Sequence, residues 1–238
     1  MFDLVYSEIL KLKKSKTLIL IIISSMVFPV LWFLITPFNI QKQTWVTYTT
    51  ETEDIMFMLI GIIAFVLLSS YIFLREYSDN TVKVLYSYPV SKISIFISKM
   101  LTIDIIVALI YLLHFITVFA GGRLVIPQSL TKEFFFMHIS VYITSMIMQF
   151  SLIPLLIFII NIFKNTTASA MIAVFVLFSN FFVYEIGNYK YWPFILPYLP
   201  FMKLYRGVDI ISAVTLAIGV FVIGIVLCIF QLLRVKDV

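Results

Sequence analysis

The chain has 238 residues, of which 62% are hydrophobic, and its mean hydropathy is +1.10. Because soluble domains are about 45–50% apolar, this composition excludes an ordinary soluble protein and predicts a polytopic membrane protein. The net charge of +5 resides in loops that flank apolar segments, which is not the pattern of a nucleic-acid-binding protein. The single cysteine, Cys228, cannot form an internal disulfide, and we interpret it as a small apolar filler.

The first sixteen residues predict an amphipathic helix that lies in the membrane interface, with its lysines among anionic head groups. The residues assigned to this interface helix are Phe2, Tyr6, Glu8, Lys11 and Lys14. The apolar segment 17–38 is too long for the core of a signal peptide and ends without a small-residue cleavage site, so we expect it to remain as the first membrane span.

Six apolar segments approach or exceed the roughly 20 residues that cross a bilayer. The predicted fold class is therefore all-α, with six transmembrane helices in a single domain that covers residues 1–238. The fourth apolar stretch, 134–163, is too long for one straight crossing and predicts a short interfacial piece followed by a span broken at Pro154. The predicted spans are about 17–38, 55–74, 101–120, 137–163, 167–184 and 212–233.

Two segments between spans differ from ordinary short turns. The Thr-rich segment 39–54 predicts a polar outer loop, whose Trp45 and Tyr48 suit the aromatic belt of a membrane. The segment 185–211 is rich in aromatic residues and proline, and predicts short re-entrant or interfacial helices on the outer side. Irregular backbone at that depth must be buried in protein or face water.

The distribution of cations predicts the orientation of the chain. Eleven lysine and arginine residues fall in the predicted inner segments and six in the outer ones. Since cytoplasmic loops carry the excess of these residues, we expect both termini in the cytoplasm. The wealth of Ile, Phe, Lys and Asn indicates a low-GC bacterium, so the expected location is the bacterial plasma membrane.

The loop between the second and third spans, residues 75–99, is the most cationic of the long polar interruptions. Apolar residues recur at helical spacing on both sides of Pro89, which predicts a helix, a proline break and a second helix. Glu76 follows directly after a span, and Tyr-Pro-Val-Ser-Lys occupies 88–92. This pattern resembles the first cytoplasmic loop of ABC-2-type transporter permeases, in particular the bacitracin-resistance and lantibiotic-immunity branch.

The resemblance implies that the loop forms the coupling helix, which sits in a groove of a separate nucleotide-binding subunit. The residues that it assigns to this contact are Arg75, Glu76, Thr81, Lys83, Tyr88, Pro89, Val90, Ser91, Lys92 and Lys99. The alternative is a basic loop that lies on anionic lipid without a partner protein.

The same resemblance implies the transmembrane permease subunit of an ATP-driven exporter for amphipathic or antimicrobial-type peptides. Its expected partners are a cytoplasmic ATPase subunit, which binds ATP and Mg, and a second permease copy or paralogue within the lipid bilayer. A membrane-embedded sensor or assembly subunit without a transport path is an alternative, and an integral-membrane enzyme is another. The enzyme would need polar residues that converge at one depth, and the predicted spans show no such convergence.

Sequence motifs for catalysis are absent. The chain has no G-x-x-x-x-G-K-[ST], H-E-x-x-H or G-x-S-x-G, so we expect no ATPase or other enzyme activity, no cofactor and no metal site in this chain. His114, Gln149 and Asn180 are polar residues within predicted spans. They could line a substrate path or form hydrogen bonds between helices, and for His114 we favour the hydrogen bond.

Overall fold

The residues that the structure describes fold into helices and contain no β-strand. The computed structural model describes residues 1–13, 15–35, 44–79, 81–82, 89–206 and 209–234. In chain order, these ranges contain α1 (Phe2–Leu12), α2 (Lys16–Ile35), α3 (Trp45–Ile55), α4 (Gly61–Ser78), α5 (Lys92–Val125), α6 (Lys132–Phe163), α7 (Thr166–Ile186), α8 (Leu199–Arg206) and α9 (Ile210–Arg234). A π-helical segment, Met56–Ile60, joins α3 to α4.

Six stretches of helix are long and apolar enough to cross a membrane, which confirms the predicted all-α class. Several of them begin at a polar side chain that caps the first turn. Ser91, Thr131 and Asn165 each accept a hydrogen bond from a backbone N–H at the start of α5, α6 and α7. The six stretches are Lys16–Ile35, Trp45–Ser78, Lys92–Val125, Lys132–Phe163, Thr166–Ile186 and Ile210–Arg234.

The second of these helices begins at Trp45, ten residues before the predicted start, so the prediction of a polar loop is wrong for residues 45–54. The threonines of this segment satisfy their hydroxyls inside the helix. Thr49 Oγ1 donates to the carbonyl of Trp45, and Thr52 Oγ1 donates to that of Tyr48, at 2.8 Å and 2.9 Å. A threonine-rich sequence therefore runs as a buried helix rather than a solvated loop.

The third and fourth helices also differ from their predicted limits. The third begins at Lys92 and ends at Val125, so it includes residues on both sides of the predicted 101–120. The fourth is one helix, Lys132–Phe163, and Pro154 lies inside it. The predicted break at Pro154 is wrong, because the helix continues on both sides of the ring and packs tightly against α9.

Helices α6 and α9 pack closely beside this proline. A Cβ atom added to Gly224 would lie 2.7 Å from the backbone nitrogen of Leu155, so the two helices meet almost backbone to backbone. One turn further, Cys228 Sγ donates to the carbonyl of Pro154 at 3.2 Å. Cys228 is buried, as predicted, but it also forms a hydrogen bond and is more than an apolar filler.

The two ends of the helical bundle carry different elements. One end holds α1, the connection between α4 and α5, the turn at Lys164 and the last turn of α9, and we call it the terminal side. The opposite side holds the start of α3 and the segment between α7 and α9.

The segment between α7 and α9 consists of short helical turns, as predicted. Two 3₁₀ segments, Tyr189–Tyr191 and Pro193–Tyr198, precede the short helix α8. Most side chains from Phe194 to Met202 are buried. Asn180 of α7 fixes this segment, because its amide donates to the carbonyl of Phe194 at 3.1 Å and accepts from Trp192 Nε1 at 2.8 Å.

Candidate functional site

A buried ion cluster lies on the terminal side, where α1, α4 and α5 meet. Lys99 of α5 lies at its centre and is only 3% exposed. The Nζ atom donates to Glu76 Oε1 at 2.6 Å, to the carbonyl of Ile72 at 2.9 Å and to Glu8 Oε2 at 3.3 Å. All three ammonium protons of Lys99 are thus used, which is what a buried lysine requires.

A second lysine closes the cluster from the side of α1. Lys11 Nζ lies 2.5 Å from Glu8 Oε1 and 3.3 Å from Glu76 Oε1, and its side chain is 36% exposed. Burial by itself lowers the pKa of Lys11, but the hydrogen bonds and charges of Glu8 and Glu76 outweigh it, so the pKa of Lys11 is raised. Arg75 Nη1 adds a contact by donating to the carbonyl of Lys11 at 2.7 Å.

The cluster joins the N-terminal helix to both ends of the loop between α4 and α5. Glu76 lies in the last turn of α4, Lys99 is the eighth residue of α5, and Glu8 lies in the middle of α1. Val5 and Leu12, on the same face of α1 as Glu8, are also buried. Two buried carboxylates therefore balance one buried and one half-exposed lysine, and removing any partner would leave a buried charge without compensation.

A second buried polar cluster lies towards the opposite side of the bundle. His138 Nδ1 of α6 lies 2.7 Å and 3.0 Å from the two carboxylate oxygens of Glu53 in α3, and both residues are completely buried. His114 Nδ1 of α5 lies 2.7 Å from the hydroxyl of Tyr142 in α6. The expectation that no polar residues converge within the spans is wrong, because Glu53 belongs to a helix and not to the predicted loop.

This second cluster holds α3, α5 and α6 together without any arrangement for metal chemistry. No group of three His, Cys, Asp or Glu side chains that could hold a metal ion occurs in the described ranges. Aromatic rings surround the histidines, and the ring of Phe134 lies 4.3 Å from that of His138. Apolar walls of this kind strengthen the Glu53–His138 interaction, since water does not compete for either partner.

Comparison with known proteins assigns a family to this architecture. Residues 4–180, which include both clusters, match the family described as ABC-2 family transporter protein. The chain belongs to the ABC-2 transporter family. It is also 24% identical over 135 residues to the bacitracin transport permease protein BCRB of Bacillus licheniformis. That match spans 57% of this chain and 65% of the relative, which is slightly less than two thirds of its length. The resemblance to the bacitracin-resistance branch is confirmed.

Within this ABC-2 chain, the residues predicted to contact an ATPase subunit have different environments. Glu76 and Lys99 are buried in the ion cluster. Arg75 lies beside the cluster, and its side chain is 33% exposed. Thr81 is exposed, and its backbone N–H donates to the carbonyl of Glu76 at 2.9 Å, which closes the end of α4. Pro89 is also exposed.

The remaining predicted loop residues are partly described. Val90 and Lys92 are half-buried, and Ser91 is exposed and caps α5. Lys83, Tyr88 and the interface-helix residue Lys14 lie outside the described residues. Sequence reasoning named Glu8 and Lys11 only as interface residues and missed their contact with α4 and α5.

The other predicted residues of the interface helix are exposed, whereas those of the spans are buried. Phe2 is 91% exposed and Tyr6 is 63% exposed, on the side of α1 that turns away from the bundle. His114 and Asn180 form the hydrogen bonds described above, and Gln149 is buried in α6. No local sequence signal located the second cluster, because Glu53 and His138 are 85 residues apart in the chain.

Proposed function

We propose that this chain is the transmembrane permease subunit of an ATP-driven exporter in a bacterial plasma membrane. The observation that carries the proposal is the ion cluster of Glu8, Lys11, Glu76 and Lys99, which locks together the helices at both ends of the loop that resembles a coupling helix. A loop that only lay on lipid would not need its two ends and α1 joined by buried charges. Such charges cost free energy unless each is fully paired.

The proposed mechanism uses this cluster as a rigid connection. A cytoplasmic ATPase subunit, which binds ATP and Mg, would push on the exposed part of the loop around Pro89. Because Lys99 bonds to Glu76, Glu8 and the α4 backbone within 3.3 Å, α1, α4 and α5 would move as one unit. The push would then reach the membrane-length part of α4 and α5 rather than being absorbed at the loop.

The orientation and assembly follow from the same proposal. The terminal side would face the cytoplasm, as the excess of lysine and arginine in the segments of that side indicates. The exposed Phe2 and Tyr6 of α1 would then lie among lipid at the membrane interface. A second permease copy or paralogue would complete the transmembrane part of the exporter.

We propose amphipathic, antimicrobial-type peptides as the cargo. The support is the family branch, in which one relative is named as a bacitracin transport permease. The direction of transport, out of the cell, is part of the proposal and rests on the same resemblance.

The test separates coupling from stability. Since Glu76 is buried in the ion cluster, replacing it would disturb the fold as well as any coupling, and the exposed Pro89 is the better choice. The chain would be purified in nanodiscs from its native membrane, together with any P-loop ATPase that copurifies. We expect Pro89→Ala to lower ATP hydrolysis by the complex by about tenfold or more without changing the thermal unfolding of the chain.

Pro127→Ala is the matched control, because Pro127 is also exposed but lies at the opposite side of the bundle. Equal ATP hydrolysis by the Pro89 and Pro127 variants would contradict the assignment of the coupling loop. Purification of a stable chain with no ATPase in repeated gentle extractions would contradict the exporter itself and favour a sensor or assembly subunit.

A further inference from the structure

A cavity of about 240 Å³ lies on the terminal side, between α4, α5, α6 and α9. Its walls are largely apolar and include Phe73, Phe96 and Leu232, and Cys228 lies at its inner surface. The cavity is smaller than the roughly 300–1,000 Å³ of pockets for drug-sized ligands. It would therefore hold a small headgroup or part of a chain rather than a whole amphipathic peptide.

Cationic side chains surround the mouth of this cavity. Lys92, Lys99, Lys164 and Arg234 line it, and Glu76 is the single carboxylate among the described residues that line it. Glu76 and Lys99 neutralise each other through their 2.6 Å contact. The positive charge that faces a ligand therefore comes mainly from Lys164 and Arg234.

Two of these cations are held in place by aromatic rings. Lys164 Nζ lies 5.1 Å from the centre of the Tyr77 ring, and Arg234 Cζ lies 4.2 Å from that of Phe230. In the part of the chain that the structure describes, neither Lys164 nor Arg234 forms an ion pair. Both are exposed, so their charges are available at the mouth of the cavity.

One polar side chain that lines the cavity, Gln231, has an oxygen without a hydrogen-bond donor among the described residues. Gln231 lines the cavity, and its Nε2 donates to the carbonyl of Phe158 at 3.2 Å. Its Oε1 is buried and, among the described residues, has no hydrogen-bond donor. A hydroxyl that enters the cavity could donate to this oxygen.

We propose that this cavity binds an anionic phospholipid, with the phosphate near Lys164 and Arg234 and the glycerol and first acyl carbons against the apolar walls. The cavity lies at the ends of membrane-length helices, which is the depth of lipid headgroups, and basic pockets between such helices bind anionic headgroups. The bound lipid would join α4 and α5 to α6 and α9 beside the ion cluster. The proposal does not depend on the direction of transport or on an ATPase partner.

The test measures lipid retention by the purified full-length chain in dodecyl maltoside. Phosphatidylglycerol or phosphatidylcholine would be added, and native mass spectrometry would count bound lipid per chain. We expect one tightly held phosphatidylglycerol, and a loss of apparent affinity of about tenfold or more in Lys164→Gln/Arg234→Gln. The control Arg123→Gln/Lys132→Gln removes two exposed cations on the opposite side and should retain the lipid.

Four further outcomes bear on the proposal. Lys164→Arg/Arg234→Lys keeps both charges and should keep the lipid. Its retention of lipid would show that the loss in Lys164→Gln/Arg234→Gln comes from the missing charges and not from misfolding. Equal retention by the two glutamine variants, or equal retention of phosphatidylcholine, would overturn the site. Binding of glycerol 3-phosphate as tight as that of phosphatidylglycerol would overturn the assignment of a lipid, because it would show that the acyl chain contributes nothing.

Discussion

Replacement of Lys99 by methionine tests whether the ion cluster holds the terminal side of the protein together. Methionine fills a similar volume but carries no charge and no donor. Lys99→Met removes three contacts at once, to Glu76, to Glu8 and to the carbonyl of Ile72. The two carboxylates then remain buried with only Lys11, which is 36% exposed and lies 3.3 Å from Glu76.

The size of the effect follows from this geometry. Two unit charges about 4 Å apart interact with roughly 4 kcal/mol at an effective dielectric constant of about 20. Removal of one partner of a buried ion pair costs about 3–5 kcal/mol, because the other charge stays buried without compensation. We therefore expect Lys99→Met to lower the free energy of unfolding by about 3–5 kcal/mol. Combining it with Glu76→Gln should cost less than the sum of the two single changes.

The assay is unfolding in mixed micelles of dodecyl maltoside and sodium dodecyl sulfate, followed by tryptophan fluorescence. Trypsin cleavage within α1 gives a local readout, since release of Glu8 from Lys99 should expose the lysines of α1. Lys132→Met is the control, because Lys132 is exposed on the opposite side and should change stability by less than about 0.5 kcal/mol. If Lys99→Met matched this control in both assays, the cluster would not hold α1 in place and the reasoning would be refuted.

Two other substitutions test the packing between helices. His138→Leu should destabilise the chain by about 1–3 kcal/mol, since it leaves the completely buried Glu53 without its hydrogen-bond partner. Adding Glu53→Leu should recover part of this loss, and no recovery in the unfolding assay would contradict the pairing. Gly224→Leu should lower the unfolding midpoint strongly, because a Cβ there would lie 2.7 Å from the Leu155 nitrogen. Gly219→Leu, where a Cβ meets open space, should have little effect, and equal shifts would rule out close packing at Gly224.

The helical class could be predicted from the sequence because a bilayer leaves few alternatives for long apolar segments. The start of the second helix could not, because residues 45–54 have the composition of a loop. Their polarity is satisfied inside the helix, where Thr49 and Thr52 bond to the backbone. Glu53 finds His138, 85 residues away in the chain. A hydropathy scale treats each polar side chain as unfavourable in a membrane, because it takes no account of a hydrogen-bond partner such as His138.

In the functional site, too, a local sequence pattern could be recognised, whereas contacts between residues far apart in the chain could not be predicted. The resemblance of one loop to a family pattern singled out Glu76 and Lys99, which the structure joins at 2.6 Å. The role of Glu8 could not be read from the sequence, because its partner Lys99 is 91 residues away. The amphipathic pattern of α1 predicted a helix on a lipid surface, whereas Val5, Glu8 and Leu12 of α1 are buried.

Both buried clusters are connected through one stretch of helix. Glu53 and Glu76 lie near opposite ends of Trp45–Ser78, and at 1.5 Å per residue they are about 35 Å apart. Each carboxylate is tied to a different neighbour, Glu76 to α5 through Lys99 and Glu53 to α6 through His138. A movement imposed at the Glu76 end must either carry Glu53 along the helix axis or be taken up between the two. The π-helical segment Met56–Ile60 begins three residues after Glu53. It is the one irregularity in this helix and the place where its hydrogen-bond register can change. The arrangement thus joins a loop on one side of the bundle to a buried acid–histidine pair near the other.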